Sequence, residues 1–524
     1  MSKSSPPPAP RPDNTSISRR DFVRGSALSA VAFSLPGALR ADPYAPLATP
    51  TTMRAPVRVR GRVRSNGEGV AGVAVSDGLE VVATNGDGDF ELVTQGWSRF
   101  VRISVPAGYR IPVGANGTAS HYRRIAPNSG GEMTAAFDLE RLAGSDENHT
   151  FLFWPDTQTQ DALEMGWLHE QSVPDVIALA RELGDQALFG IACGDIMYDD
   201  LSLYPEYERA VTRMGIPFFQ AVGNHDLNYD ARISEASTET FSQHFGPDYY
   251  SFDRGRVHYV VLNDVFWHGA GYLGYLPREQ LTWLENDLRL VEPGRTVIVA
   301  THIPILSTGD LRRGSANPGT GGSVANREAL YRLLEPYNAH ILSGHTHENE
   351  QFRDGGARHH VSGTVCGAWW SGPICGDGTP NGYSVYEIRG ERVTHRYKPT
   401  GQPFSYQLRA YAHGADPAAP NEIAANVWDW QDDWTVVWYE DGEPKGRMAQ
   451  RKGFDPWSLE LHTGPELPPR RAWVDPYPTE HLFYAPASRE AREILIEATD
   501  GQGRRYSARV GDPFPGDPGL WTEG

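Results

Sequence analysis

A chain of 524 residues, 39% hydrophobic and 22% charged, is too long for one ordinary domain and has the composition of a globular protein of two or three. Its formal net charge is −18, although residues 1–41 alone hold six Lys/Arg against two Asp/Glu. That acidity excludes a nucleic-acid backbone as the natural ligand, because phosphate contacts along a strand need a basic groove; it leaves small anionic ligands open where cations hold them.

The first elements belong to an address. Residues 1–17 are polar and Pro-rich. Ser18-Arg19-Arg20-Asp21-Phe22 comes next, then a mildly apolar stretch too short to span a bilayer, then Leu39-Arg40-Ala41. This order resembles a twin-arginine export signal over residues 1–41; a disordered basic tail is the alternative. The resemblance implies the twin-arginine export machinery as a partner and a periplasmic or secreted destination. It also implies a cofactor loaded before export, since that route carries folded proteins. No other run reaches the ~18 apolar residues of a membrane helix, so no integral span is expected. Residues 42–54 (DPYAPLATPTTMR) read as a linker.

Residues 55–147 switch to short alternating runs, VRVRGRV, GVAVSDG, EVVATNGDGDFELVT and RFVRISVPAGY, with turns at Asn85-Gly86 and Asp87-Gly88. A period of two with such turns predicts a small antiparallel β-sandwich. It resembles the transthyretin-like modules attached to exported hydrolases. It gathers neither a nucleophile nor a ligand cluster, which fits a spacer or docking module.

Residues 148–402 alternate apolar runs with helical periodicity. The runs are TFLFW (150–154), ALFGIAC (187–193), PFFQAV (217–222), HYVVL (258–262), TVIVA (296–300) and AHILS (339–343), with helical stretches at 165–183 and 326–336. That pattern predicts a layered α/β core. Residues 403–524 return to turn-rich alternation and read as a C-terminal β domain. Its tryptophans Trp428, Trp430, Trp434 and Trp438 suit core packing, or else a surface for carbohydrate or envelope material. Cys193 ends an apolar run and reads as a buried small hydrophobe. Cys366 and Cys375 either form a disulfide or stay separate, since spacing alone does not decide the geometry.

The chemistry lies where the core strands stop. FLFWP is followed by Asp156-Thr157-Gln158, FGIAC by Gly194-Asp195, FFQAV by Gly223-Asn224-His225-Asp226, VIVAT by His302, and HILS by Gly344-His345-Thr346-His347. The C-terminal edge of an open α/β sheet is where ligands bind. The order D-x-Q, G-D-x-x-Y, G-N-H-D, H, G-H-x-H resembles the calcineurin-like metallophosphoesterases over about 156–347. The flanking β modules resemble a bacterial subgroup with dedicated N- and C-terminal domains. The resemblance implies an α/β core of β-sandwich flanked by helices, and a dinuclear metal centre.

Two divalent ions about 3.5–4 Å apart offset the charge of a phosphate ester and generate hydroxide near neutral pH. By resemblance Asp195 bridges them, Asp156, Gln158 and His347 complete one site, and Asn224, His302 and His345 complete the other. His345 and His347 then alternate along an extended turn so that each reaches a different ion, with Glu348 and Glu350 at the surface or behind the ligands. Mixed N and O ligands suit Mn, Fe or Zn, divalent or trivalent. One position departs from the family pattern: Gln158 stands where a histidine is usual, which puts metal identity and affinity in question. Tyr198 lies where purple acid phosphatases place a tyrosinate on ferric iron, but DTQ differs from their first motif, and an ordinary loop aromatic is the other reading. In G-N-H-D the histidine faces the leaving oxygen, so His225 is the expected general acid, with Asp226 to orient its ring. The loop 363–383 overhangs the same edge, where Trp369 and Trp370 form either a stacking platform for a leaving group or a packed lid. Arg312 and Arg313 either contact phosphate or lie in a solvated loop. The reading that results is an exported phosphoesterase acting on a small phosphorylated substrate. A phosphodiesterase rather than a monoesterase, or an envelope-binding protein with a vestigial metal site, are the alternatives.

Overall fold

The computed structural model describes residues 55–184 and 187–515. The expected export signal (1–41) and linker (42–54) lie outside the described residues, as do residues 516–524 of the expected C-terminal domain.

Strand Arg58–Ser65 shows how the N-terminal module forms. Val59 and Val63 are fully buried, while the arginines between them point outward. Arg60 and Arg62 pair with Glu91 and Asp89 on the antiparallel neighbour Asp89–Val93. Exposed pairs are worth at most about 1 kcal/mol each, so the buried valine row sets the register. On its other edge the same strand pairs with Glu132–Asp138 in parallel, where alternation alone predicts an antiparallel sandwich. The reason is the long connection between them, which carries the second sheet, Val81–Ala83, Ala74–Ser76, Phe100–Ile103 and Tyr122–Arg124.

The central region holds two sheets. In one, Phe218–Ala221, Phe189–Cys193 and Asn148–Trp154 run parallel, and Gly382–Arg389 and Arg392–Pro399 continue it antiparallel. In the other, Val257–Val261, Thr296–Ala300, Asn338–Ser343 and Ala357–Val361 run parallel, with Tyr250–Arg254 and Glu350–Asp354 antiparallel at the edges. Alternate residues of each strand enter different cores. Phe151 and Phe153 lie between the sheets with Phe189, Phe252, Tyr259 and Ile298. Leu152, Trp154, Val297 and Val299 pack against the helices through Met165, Val176, Tyr207 and Trp283. Burial on both faces is why these strands read as unbroken apolar runs. Phe151 stacks on Phe189 at 5.4 Å and on Tyr386 at 4.7 Å, and truncating such a ring to Ala costs about 3–5 kcal/mol.

Helices Ala162–Trp167 and Val173–Leu183, joined by a π turn at Leu168–Ser172, and then Tyr204–Met214, connect the parallel strands of the first sheet. Arg278–Leu288 and Arg327–Leu334 do the same for the second. Parallel strands joined by crossovers end on one edge, so residues 156, 195 and 224 converge with 302 and 345. Two further sheets come after: Arg409–Tyr411, Ile423–Asn426, Pro478–Ala485 and Ala449–Phe454, then Glu443–Arg447, Thr435–Glu440, Ile494–Thr499 and Arg505–Arg509. Trp428 and Trp434 are buried, and Trp430 and Trp438 pack against that C-terminal core. Among the described residues, no helix is long and apolar enough to cross a membrane.

Candidate metal centre

The strand ends meet only because the backbone bends sharply there. Asp156 (φ 50°), Gln158 (41°), Asp195 (45°), Asp199 (68°), His345 (71°) and His347 (52°) all adopt left-handed backbone, which costs a residue with a Cβ about 1–2 kcal/mol. Such strain persists where the surroundings over-determine it, and it gathers at functional sites. Two glycines allow the approach. A Cβ on Gly223 would lie 2.2 Å from Asp195 Oδ1, and one on Gly344 would lie 2.1 Å from Asp156 Oδ2.

Asp195, His302 and His345 bring ligand atoms within 4.8 Å of one another. His302 Nε2 lies 3.2 Å from Asp195 Oδ1, 3.1 Å from Asn224 Oδ1 and 3.1 Å from His345 Nδ1. His347 Nε2 faces Asp156 Oδ1 at 3.7 Å and makes no hydrogen bond, although it is fully buried. The outward nitrogens are all engaged by main-chain carbonyls. His302 Nδ1 donates to Cys193 O at 2.8 Å, His345 Nε2 to Gly321 O at 2.8 Å, and His347 Nδ1 to Gly367 O. Each ring is thus held at its outer nitrogen with its second nitrogen turned inward, the outer arrangement that metal-binding histidines require.

The charges tell the same story. Burial, joined by neighbouring Asp195, pushes the Asp156 carboxyl up to about 8 against the pull of His302. Burial opposes charge on His302, but Asp195 and Asp156 outweigh it and push His302 up to about 10. Burial also opposes charge on Asp195, yet His302 and His225 hold it below the usual carboxylate range. Burial pushes His345 and His347 down to about 3, so both rings are neutral donors. The buried carboxylates draw a proton onto His302, and Asp156 itself tends to stay neutral, so this donor set lacks the positive charge that a metal cation would bring in place of those protons. With the orphaned His347 Nε2, that makes the residues fit metal cations.

Gln158 is placed differently from the rest. Its Nε2 donates to Asp195 Oδ2 at 2.9 Å, and its Oε1 faces Cys366 Sγ at 3.7 Å. In this orientation Gln158 braces Asp195; ligation through Oε1 requires the amide to turn over.

Several expected roles change. Asp226 does not orient His225. It accepts from Gly223 N at 2.9 Å, Ile196 N at 3.1 Å, Met197 N at 3.2 Å and Tyr204 Oη at 3.1 Å, tying two strand-end loops together. Asn224–Asp226 is a short 3-10 turn, which sends neighbouring side chains to different faces. Asp199 takes the orienting role instead: its Oδ1 accepts from His225 Nδ1 at 2.6 Å and from Tyr229 Oη at 2.6 Å. Burial opposes charge on His225, but Asp195 and Asp199 outweigh it and raise its pKa. Tyr198 stacks its ring on His225, 4.4 Å between centroids, and packs against the cluster of Ala368, Trp369, Val474 and Tyr477.

Arg312 is not a free phosphate contact. It is buried against Glu348 and Glu350 and donates to Pro478 O at 2.9 Å. Glu348 is correspondingly buried rather than at the surface. Arg313 pairs with Asp310 at 3.0 Å. Trp370 is a packed lid, its Nε1 donating to Thr157 O at 2.9 Å, while Trp369 stacks on His347 at 3.9 Å and meets Trp473 at 5.0 Å. Cys366 and Cys375 are free, buried thiols, each 3.8 Å from Thr364 Oγ1 between them.

Sequence reasoning passed over Asp199, Arg471 and Asp264. Asp264 Oδ1 accepts from the backbone of His302 and Ile303 at 3.2 Å and sets the loop after Thr296–Ala300. Its signal was present: HYVVL ends in Asn263-Asp264, a sixth strand with a polar C-terminal end. A second cluster, His360, His395 and Asp429, is a closed junction. The two rings stack at 4.5 Å, and His360 Nε2 is taken by Asn349 Oδ1 at 2.9 Å.

Three family models match in chain order: N terminal of Calcineurin-like phosphoesterase over residues 57–142, Calcineurin-like phosphoesterase over 149–349, and C terminal of Calcineurin-like phosphoesterase over 359–506. The serine/threonine-protein phosphatase CPPED1 of Mus musculus is 30% identical over 241 residues, which is 44% of this chain and 72% of the relative. Its Danio rerio counterpart is 28% identical over 244 residues, 44% of this chain and 75% of the relative. Purple acid phosphatase 15 of Arabidopsis thaliana is 28% identical over 148 residues, 26% of this chain and 25% of the relative. The chain therefore belongs to the calcineurin-like phosphoesterase family, enzymes that hydrolyse phosphate esters.

Proposed function

We propose that this chain is an exported phosphomonoesterase with a dinuclear metal centre. The observation that carries the reading is the set of three histidines whose outward nitrogens are bound by main-chain carbonyls, while His302 faces Asp195, His347 faces Asp156 and His345 faces His302. Asp156 and His347, with Gln158 if its amide turns, would hold one ion; Asn224, His302 and His345 would hold the other, and Asp195 lies between. Two ions held there would supply charge to offset that of the ester and would lower the pKa of a bound water. N/O donors of this kind suit Mn, Fe or Zn.

His225 supplies the acid. With Nδ1 committed to Asp199, its Nε2–H is the proton available to the departing alkoxide as the P–O bond breaks. Its side chain keeps 21% of its surface exposed, so a leaving group can reach it. The choice of monoesters over diesters rests on the relatives, which are named phosphatases. Export rests on residues 18–22 and the apolar stretch after them.

The test is metal analysis of the purified chain together with phosphate release from alkyl, aryl, phosphoserine and diester substrates. Two ions per chain and turnover of monoesters are expected. A metal-free protein without turnover after Mn, Fe or Zn is added would return the chain to a binding role.

A further inference from the structure

His225 is held along one ring edge by Asp199, whose side chain is 45% exposed, and across one ring face by Tyr198. One hydrogen bond at a ring edge fixes that edge and leaves the tilt of the ring about the bond open. Tyr198 therefore decides how firmly the imidazole plane is set, and Tyr198 is itself covered from the C-terminal module: the Arg471 guanidinium carbon lies 4.9 Å from its ring centroid.

Arg471 is fixed in turn. Its Nη2 donates to Glu164 Oε1 at 3.0 Å, and Arg470 Nη2 reaches the same oxygen at 2.7 Å and Asp161 Oδ2 at 2.6 Å. Glu164 is fully buried in the first turn of Ala162–Trp167, and burial raises its pKa against the pull of Arg471 and Arg470. Arg471 adopts left-handed backbone (φ 56°), a conformation that persists only where the surroundings hold it. Arg470 touches the same carboxylate, while the guanidinium over the Tyr198 ring is that of Arg471, so the pair separates two jobs. Arg470 secures the module to the core, and Arg471 does so while reaching the acid side of the site.

We propose that Arg471 is a positioning residue: by holding Tyr198 it keeps the His225 imidazole in the plane that delivers a proton to the leaving oxygen. The proposal rests on His225 being the general acid. It assigns the C-terminal module a part in leaving-group specificity, because a tilted acid matters only where the leaving group needs a proton.

The test uses the full chain with its metals. Arg471→Ala, Arg471→Lys, Arg470→Ala and Tyr198→Leu are compared on an alkyl phosphate and on p-nitrophenyl phosphate, with metal content and Tm alongside. Arg471→Ala and Tyr198→Leu should each lower kcat on the alkyl ester about tenfold more than on the aryl ester, with metals retained. Arg471→Lys should recover most of that ratio. Arg470→Ala should lower Tm and leave the ratio at the wild-type value. Equal losses on both substrates in Arg471→Ala and Tyr198→Leu, or an equal shift of the ratio in Arg470→Ala, would overturn the proposal and leave Arg471 as a structural tie. His225→Ala separates the layers. If it shows no leaving-group preference, the acid reading fails and takes this proposal with it; if it shows one and Arg471→Ala does not, this proposal alone fails.

Discussion

The residues suited to metals and the residues around His225 share one sheet edge but are supported by different means. On the metal side, each histidine is held by a main-chain carbonyl, that of Cys193, Gly321 or Gly367. The strand ends behind them are buried between two packed sheets. On the acid side, His225 is held by side chains: Asp199 with Tyr229 behind it, and Tyr198 with Arg471 behind it. A carbonyl survives almost any substitution at its own position, whereas a side-chain brace does not. The metal side is thus a fixed property of the fold, and the acid side is open to retuning by single substitutions.

The strongest way to break this contrast is at Asp195. Its Oδ1 meets His302 and the His225 backbone, and its Oδ2 meets Gln158. Asp195→Asn should lower turnover on every substrate by more than about 10³-fold, the several kcal/mol that metal ions contribute to the transition state, and should deplete both ions. Wild-type turnover with two ions bound would remove Asp195 from the centre of the site.

A smaller effect is expected from Gln158, whose amide presents its NH2 rather than its oxygen to Asp195. Gln158→His should tighten one metal by roughly tenfold or change which ion is preferred, measured by competition with a chelator, with little change at the other. Unchanged affinity for both would make Gln158 purely a brace for Asp195.

Much of the metal side was legible in the sequence. Buried parallel strands leave unbroken apolar runs, and the polar ligands sit directly after those runs in the chain. Asp156, Asp195, Asn224, His302, His345 and His347 therefore all stand within a few residues of a strand end. The acid side was less legible because its braces are distant in sequence. Residues 199, 229 and 471 meet 225 only through folding, and no spacing announces them. The expected Asp226–His225 pairing fails for a local reason: residues adjacent in sequence are sent to different faces by the 3-10 turn. The burial of Arg312 is not legible locally, because a Gly-rich loop suggests solvent while the two acids that bury this arginine lie at 348 and 350.

The smallest effect concerns the scaffold under both sides. His258 lies buried between Asp253 at 2.8 Å and Asp287 at 3.0 Å. Burial opposes its charge, but Asp287 and Asp253 outweigh that and push it up to about 10. A raised pKa contributes stability that is complete below the unfolded value of about 6.5 and is lost as pH rises through about 10. The wild-type Tm should therefore fall between about pH 7 and pH 10, and His258→Gln should have a lower, flatter profile. Identical slopes in the two proteins would remove His258 from the pH dependence.

The most direct test of two separately built halves is His225→Ala, assayed for metal content and on two substrates. Both ions should be retained, kcat on an alkyl phosphate should fall by roughly 10²–10⁴-fold, and the loss on p-nitrophenyl phosphate should be clearly smaller. Equal losses on both substrates, or loss of an ion, would contradict the separation of the metal side from the acid side.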